Sequence, residues 1–287
     1  MCELLYIVWH PSMELLHIGG FAVRWYSLCW LIGLALAFLI TRLLYREQKI
    51  GADIHEPIFV YGFLGVLIGA RLGHCLFYEP HYFLSSLPRF IEMILPIRQG
   101  IDGSWHFTGY EGLASHGGIA GVIIAMILYC RQTKISMWFA LDCLAIGCSM
   151  TGCCIRLGNL MNSEIVGKPT DVPWAFIFER IDPVPRHPAQ LYEALAYLVI
   201  FCILWTLHRR LPHKMGTGFF FGLCMALVFV FRFLIEYVKD IQEAFEADMV
   251  INMGQILSLP FIVAGILCML RTRQTIFSND NKKKGKH

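Results

Sequence analysis

Charge is scarce in this sequence. Asp, Glu, Lys and Arg make up 16% of its 287 residues, where an ordinary soluble domain carries about 25%, while 56% of its residues are hydrophobic. So little charge cannot wet the surface of a soluble enzyme of this length, and so much apolar content excludes disorder. The net charge of +3 is too small to imply a nucleic-acid partner. Eleven cysteines are present, yet no C-x-x-C pair occurs and most lie inside apolar runs, which argues against a disulfide framework and predicts no metal site. There is no P-loop and no H-E-x-x-H, and Gly147-Cys148-Ser149-Met150-Thr151 lacks the second glycine of a nucleophile elbow. NTPase, zinc-protease and serine-hydrolase chemistries are thereby disfavoured. The start of the chain lacks Lys or Arg ahead of a short apolar core, so no cleavable leader is expected.

What the sequence has is long apolar runs. Seven stretches, 19–40, 57–78, 113–130, 136–155, 189–207, 216–238 and 251–270, are apolar enough to cross a hydrocarbon layer about 30 Å thick as helices. The expected fold is an all-α polytopic membrane protein of about seven transmembrane helices, forming a single membrane-embedded domain over 1–287. Small residues four apart, as at Gly65, Gly69 and Gly73 or at Gly218 and Gly222, read most simply as helix-packing faces. Basic residues are unequally divided between the two sets of connections. One set holds Arg42, Arg46, Lys49, Arg131, Lys134, Arg209, Arg210, Lys214 and the basic tail 271–287; the other holds only Arg89, Arg98, Lys168, Arg180, Arg186 and Lys239. The positive-inside rule then puts the N-terminus outside and the tail in the cytoplasm. The two long connections, 79–112 and 157–188, fall outside and would build a small extracytoplasmic head. The first contains an amphipathic stretch at 87–97; the second is punctuated by proline and has an aromatic run at 174–178 that suits a strand.

A few charges remain within or at the ends of the spans: Arg24, Arg71, Arg156 and Arg232, with Asp142, Glu193 and Glu236. An arginine at the centre of a membrane helix costs roughly 2.5–3.5 kcal/mol even on the insertion scale, so each needs a reason. Pairing is one: Arg232 and Glu236 stand four apart on one helix face. Snorkelling to the headgroups is another, available to Arg24. Recognition of an anion is the third, because a guanidinium presents a planar fork to a phosphate. Arg156 favours that third reading, since it opens a polar run unsuited to a plain helix end.

Histidine supplies the candidate base. His116 is followed by two glycines at the start of the third span, where backbone can approach closely and helical N–H groups are free. An ordinary imidazole titrates near pH 6.5, which suits proton abstraction at neutral pH, although a histidine at a helix end is more often an interfacial residue. His187, Gln190 and Glu193 are spaced three apart and can face one cavity.

The run Arg156-Leu157-Gly158-Asn159-Leu160-Met161-Asn162-Ser163-Glu164-Ile165-Val166-Gly167 closely resembles the signature G-R-x-G-N-F-x-N-x-E-x-x-G of bacterial prolipoprotein diacylglyceryl transferases. Ile155 replaces the leading glycine and Leu160 the phenylalanine, leaving the polar set intact. Trp25-Tyr26, His116-Gly117-Gly118, the run Pro185-Arg186-His187-Pro188-Ala189-Gln190-Leu191-Tyr192-Glu193, Phe231-Arg232 with Glu236, and Met253-Gly254-Gln255-Ile256-Leu257-Ser258 look like that family in the same order. One departure is Arg24, where the family often has histidine; this weakens a proton-transfer role at position 24 and leaves His116 untouched.

The resemblance implies a seven-helix enzyme of the bacterial inner membrane. It would transfer the sn-1,2-diacylglyceryl group of phosphatidylglycerol to the lipobox cysteine thiol of a prolipoprotein, releasing glycerol 1-phosphate, with its active site facing outward. By residue-level carry-over, His116 and Tyr26 serve the chemistry, and Arg156 and Arg232 hold the phosphate. Asn159, Glu164 and Gly167 shape the lipid site, supported by His187, Glu193 and Glu236. No cofactor is implied; the partners are phosphatidylglycerol, the lipobox peptide and membrane lipids. His116 as a positioning group only, a transporter or flippase of an anionic lipid or solute, and a purely structural membrane subunit are the alternatives; the two halves show no repeat that would support a transporter, and a structural subunit explains neither the polar signature nor the long outer loops.

Overall fold

In a computed structural model of the chain, residues 6–19, 21–95, 97–100, 103–107, 112–240, 251–271 and 273–277 are described. The elements in chain order are β1 (Ile7–Trp9), β2 (Glu14–Ile18), β3 (Phe21–Arg24), α1 (Trp25–Glu47), α2 (Ala52–His55), α3 (Pro57–Phe77), α4 (Pro80–Phe83), α5 (Leu87–Ile94), β4 (Ile97–Gln99), β5 (Trp105–Phe107), α6 (Ser115–Thr133), α7 (Met137–Asn162), β6 (Phe176–Phe178), β7 (Pro185–Arg186), α8 (Ala189–Arg210), α9 (Phe219–Ile235) and α10 (Met253–Met269). Each apolar run carries a helix. Four segments, Trp25–Glu47, Ala52–Phe77, Met137–Asn162 and Ala189–Arg210, are long and apolar enough to cross a membrane; Phe219–Ile235 and Met253–Met269 are shorter apolar helices. The chain is thus a mostly helical, polytopic membrane protein. Most of the basic tail, 278–287, and parts of the 79–112 connection lie outside the described residues.

Three expectations are corrected. The protein is not purely helical: β1-β6-β7 form a three-stranded sheet, and β2-β3 and β4-β5 are hairpins. Their segments are too short for stable helices, and strand pairing satisfies their backbone instead. The first span starts at Trp25 rather than 19, because Glu14 to Arg24 folds back as the β2-β3 hairpin, and it runs on to Glu47. The fourth span does not end at 155. α7 continues through Arg156 to Asn162, so the polar run is helical rather than a helix end.

The chain divides into two compact units, residues 1–48 with 138–276, and residues 49–137 with 277–287. In the first unit α7 is the central helix: 61% of its most apolar window is buried, against 22% for α1 and 28% for α8. Small residues on α7 set its neighbours, Gly147 against Ala37 and Thr41 of α1, and Gly152 against the Tyr197 ring of α8. Thr151 Oγ1 donates to the Gly33 carbonyl at 2.8 Å, tying α7 to α1. Asp142, one of the intramembrane charges, has a structural task. Its carboxylate accepts the backbone N–H groups of Gly216 and Gly218 at 2.9 and 3.0 Å through one oxygen and of Phe221 at 2.9 Å through the other, capping α9 from a different helix. Asp142→Ala is expected to leave these three donors bare and lower stability by roughly 2–4 kcal/mol; the thermal midpoint in detergent checks this, and an unchanged midpoint would refute it.

In the second unit α3 and α6 cross in backbone contact. Cβ atoms added at Gly117 and Gly121 of α6 would meet the Gly73 Cα at 2.8 Å and the Gly69 Cα at 2.9 Å. The packing reading of Gly65, Gly69 and Gly73 therefore holds. The close approach that the glycine after His116 permits is to α3.

Candidate functional site

The site is built where α7 stops. Ser163 adopts a left-handed conformation, φ 56°, immediately after Asn162, and two hydrogen bonds close the helix: Glu164 N–H to the Asn159 carbonyl at 3.0 Å and Ser163 N–H to the Leu160 carbonyl at 3.1 Å. That pair is the Schellman pattern, with serine where glycine is usual. Side chains reinforce it. The Glu164 carboxylate accepts Asn159 Nδ2 at 3.0 Å on one oxygen and Asn162 Nδ2 at 3.1 Å on the other, while Gln190 Nε2 donates to the Glu164 carbonyl. The N-x-x-N-x-E spacing of the sequence thus fixes the shape of this turn.

Gly167 follows at a three-way junction. Its N–H donates to the His187 carbonyl at 2.9 Å, and the next residue's N–H donates to the Val238 carbonyl at 2.8 Å. A Cβ here would stand 2.6 Å from the His187 Cβ and 2.7 Å from both the His187 and Val238 carbonyl oxygens, so only glycine fits. Arg186 fastens the same junction through ion pairs to Asp182 at 2.6 Å and Asp240 at 2.8 Å. The three-stranded sheet sits over the turn: Trp9 Nε1 donates to the Leu160 carbonyl at 2.9 Å, and Leu160 packs with Phe176 and Phe178. Parallel pairing of β1 with β6 brings the N-terminal residues here.

Below the turn lies a cluster of charge, buried at Glu193 and Lys239, half-buried at Arg156 and Glu236, and exposed at Arg232. Arg156 Nε is 3.0 Å from Glu193 Oε2, an ion pair whose N–H does not point at the oxygen, and Tyr197 also faces the guanidinium. Arg156, Arg232, Lys239, Glu193 and Glu236 act on one another electrostatically, three cations against two carboxylates. The expected Arg232–Glu236 pairing is not made. α9 ends at Ile235, and Glu236 instead accepts Asn252 Nδ2 at 3.1 Å and faces Lys239 Nζ at 3.9 Å. Arg232 makes no hydrogen bond or ion pair among the described residues. Four buried oxygens around the turn, Asn162 Oδ1, Ser163 Oγ, Gln190 Oε1 and Glu193 Oε2, accept no hydrogen bond within the described residues. Buried acceptors left in that state fit a ligand that brings donors.

Tyr26 packs its ring on Gly158, one turn from Asn162 along α7, where a Cβ would lie 3.0 Å from the ring. His187 is held by Tyr192, whose hydroxyl is 3.1 Å from Nδ1 and in turn accepts Trp174 Nε1 at 2.8 Å; burial lowers the imidazole below its ordinary value. Tyr26, Arg156, Asn159, Glu164, Gly167, His187, Glu193, Arg232 and Glu236 all belong to the first unit. His116 belongs to the second, as the second residue of α6, with its side chain exposed. Arg71, also in the second unit, is occupied structurally: its guanidinium donates to the Glu92 and Met93 carbonyls at 2.7 and 3.3 Å and lies over the Phe83 ring. Arg24 is exposed at the start of α1.

One member of the charge cluster escaped the sequence reading. Lys239 reads as an outer-connection charge, yet it is 6% exposed, and burial pushes its ammonium below the ordinary lysine value against the pull of Glu193 and Glu236. The signal was its spacing, three residues beyond Glu236 and seven beyond Arg232.

Residues 13–271 match the family model described as prolipoprotein diacylglyceryl transferase. The chain is similar to proteins named phosphatidylglycerol--prolipoprotein diacylglyceryl transferase in Bacteroides fragilis, at 52% identity over 93% of this chain and 95% of the relative. It is also similar to those of Tolumonas auensis, at 44% over 92% and 96%, and of Rhodospirillum rubrum, at 36% over 94% and 96%.

Proposed function

The chain belongs to the prolipoprotein diacylglyceryl transferase family, and from that premise we propose that it transfers the sn-1,2-diacylglyceryl group of phosphatidylglycerol to the lipobox cysteine of prolipoproteins. The observation that carries this reading is the charge cluster beneath the Asn162 turn. Its one net positive charge suits a phosphodiester, and Arg232 has its full set of donors unengaged among the described residues.

Arg156 and Arg232 grip the phosphate, and the Glu193 carboxylate, 3.0 Å from Nε, and the Tyr197 hydroxyl fix the Arg156 guanidinium beside it. The two hydroxyls of the head-group glycerol supply donors to two of the bare acceptors Asn162 Oδ1, Ser163 Oγ and Gln190 Oε1. Asn159, Glu164 and Gly167 act by fixing the turn that carries these acceptors. A thiol near its ordinary pKa of about 8.5 is a poor nucleophile until it loses its proton, which His116 takes. The thiolate then attacks the glyceryl carbon bearing the phosphate ester, forming the C–S bond as the C–O bond breaks. The electron pair leaves with the phosphate as glycerol 1-phosphate, and the added negative charge falls on Arg156 and Arg232, where it is stabilised more than in the ground state. Tyr26 walls the site at Gly158. The protein acts in the bacterial inner membrane with seven spans, the N-terminus and site facing outward.

The protein in phosphatidylglycerol vesicles is expected to add one diacylglyceryl mass to the cysteine of a synthetic lipobox peptide, and none to its serine variant, as read by mass spectrometry. An unmodified cysteine peptide in the presence of folded protein would overturn the reading.

A further inference from the structure

Helix α5 is built with its polarity reversed. Glu92 is 2% exposed, while Leu87, Phe90 and Ile94, at helical spacing along one face, are 73%, 41% and 52% exposed. The charges on the helix are settled inward: Glu92 accepts Arg89 Nη1 at 2.7 Å, the Tyr82 hydroxyl at 3.0 Å and the Gln99 N–H at 2.9 Å. Burial alone would raise the Glu92 carboxyl; these three donors outweigh it and hold the group below the usual carboxylate value. A helix facing water presents the opposite arrangement.

The depth of α5 identifies what covers its apolar face. α3 belongs to a segment long and apolar enough to cross a membrane, and its apolar run ends at Phe77. Arg71 lies six residues before that end, about 9 Å along the helix axis. Its guanidinium holds the carbonyls of Glu92 and Met93, and Met93 packs with Cys75 and Phe83, so the C-terminal turn of α5 is fixed against the stretch of α3 between Arg71 and Cys75, about 3–9 Å before its end, rather than beyond it. An amphipathic helix lying in a membrane interface buries its apolar face about 5–10 Å into the headgroup boundary, which matches this depth. The lipid-facing surface of α3 continues to the same level, with Phe77 exposed at its end.

We propose that α5 is an interfacial membrane helix, seated on its Leu87, Phe90 and Ile94 face in the headgroup and upper acyl region of the leaflet where α3 ends. Arg71 sets its depth, and the Arg89–Glu92–Tyr82 network keeps its charges away from lipid. This seating is independent of the reaction assigned to the protein.

The test replaces Phe90, and separately Leu87, by the photoreactive aromatic p-benzoylphenylalanine in the full chain. Each variant is reconstituted in vesicles of phosphatidylethanolamine and phosphatidylglycerol and irradiated, in the presence and absence of a lipobox peptide. Both positions accept a large aromatic because both are already exposed, and an unshifted thermal midpoint verifies folding. Phospholipid adducts at both positions, unchanged by the peptide, are the expected result. Adducts to a second copy of the chain or to the peptide, or no phospholipid adduct at either position in folded protein, would overturn the proposal.

Discussion

Arg156→Lys is expected to lower turnover of the lipobox peptide by about 10²–10³-fold, the loss seen when one preorganised donor to a developing negative charge is removed. Lysine keeps a positive charge beside Glu193, so the buried carboxylate is not abandoned and the fold should survive. What lysine cannot supply is the fork, because a single ammonium engages either Glu193 or a phosphate oxygen. The measurement is the initial rate of thioether formation beside the thermal midpoint of the same preparation. A rate within threefold of the parent would remove Arg156 from phosphate binding. A large fall in the midpoint would reassign it to stability.

Gly121→Val is expected to destabilise the second unit severely, by roughly 3 kcal/mol or more. Overpacking usually costs about 1–3 kcal/mol where side chains can give way, but here the obstructing atoms are backbone, the Gly65 carbonyl and the Gly69 Cα. Neither can move without separating α3 from α6. Gly62, on the same α3, offers the contrast: nothing lies within 4 Å of its Cβ position, and Gly62→Ala should be neutral or stabilising by about 1 kcal/mol. Equal thermal midpoints for the two variants would mean that the crossing does not depend on small residues. Since His116 stands five residues before Gly121 on α6, the valine variant should also lose activity in step with its fold.

The helices were legible because the bilayer demands long apolar runs and little else in this chain imitates them. Their ends were less so. Arg156, Asn159 and Asn162 look like the polar close of a helix, yet α7 runs through them because Glu164 folds back to occupy both asparagine amides. The parallel pairing of Ile7–Trp9 with Phe176–Phe178 joins segments more than 160 residues apart, a separation at which local pattern carries no information. Within the site, the arginines stood out by their cost in a membrane, but cost alone did not divide them. Arg71 proved to be a clamp on backbone carbonyls, whereas Arg232 is unengaged among the described residues. Lys239 was hidden for the opposite reason: in sequence it sits among ordinary connection charges, and only the bend after Ile235 turns it inward.

The carboxylate of Asp142 bears on how the protein assembles. α7 is synthesised before the 216–221 segment, so when α7 first enters the bilayer this acidic group has none of its three amide partners. The carboxyl is a costly, unpartnered polar group at that moment, and the start of α9 brings the three amides that satisfy it. The later helix should therefore wait on the earlier one rather than insert independently of it.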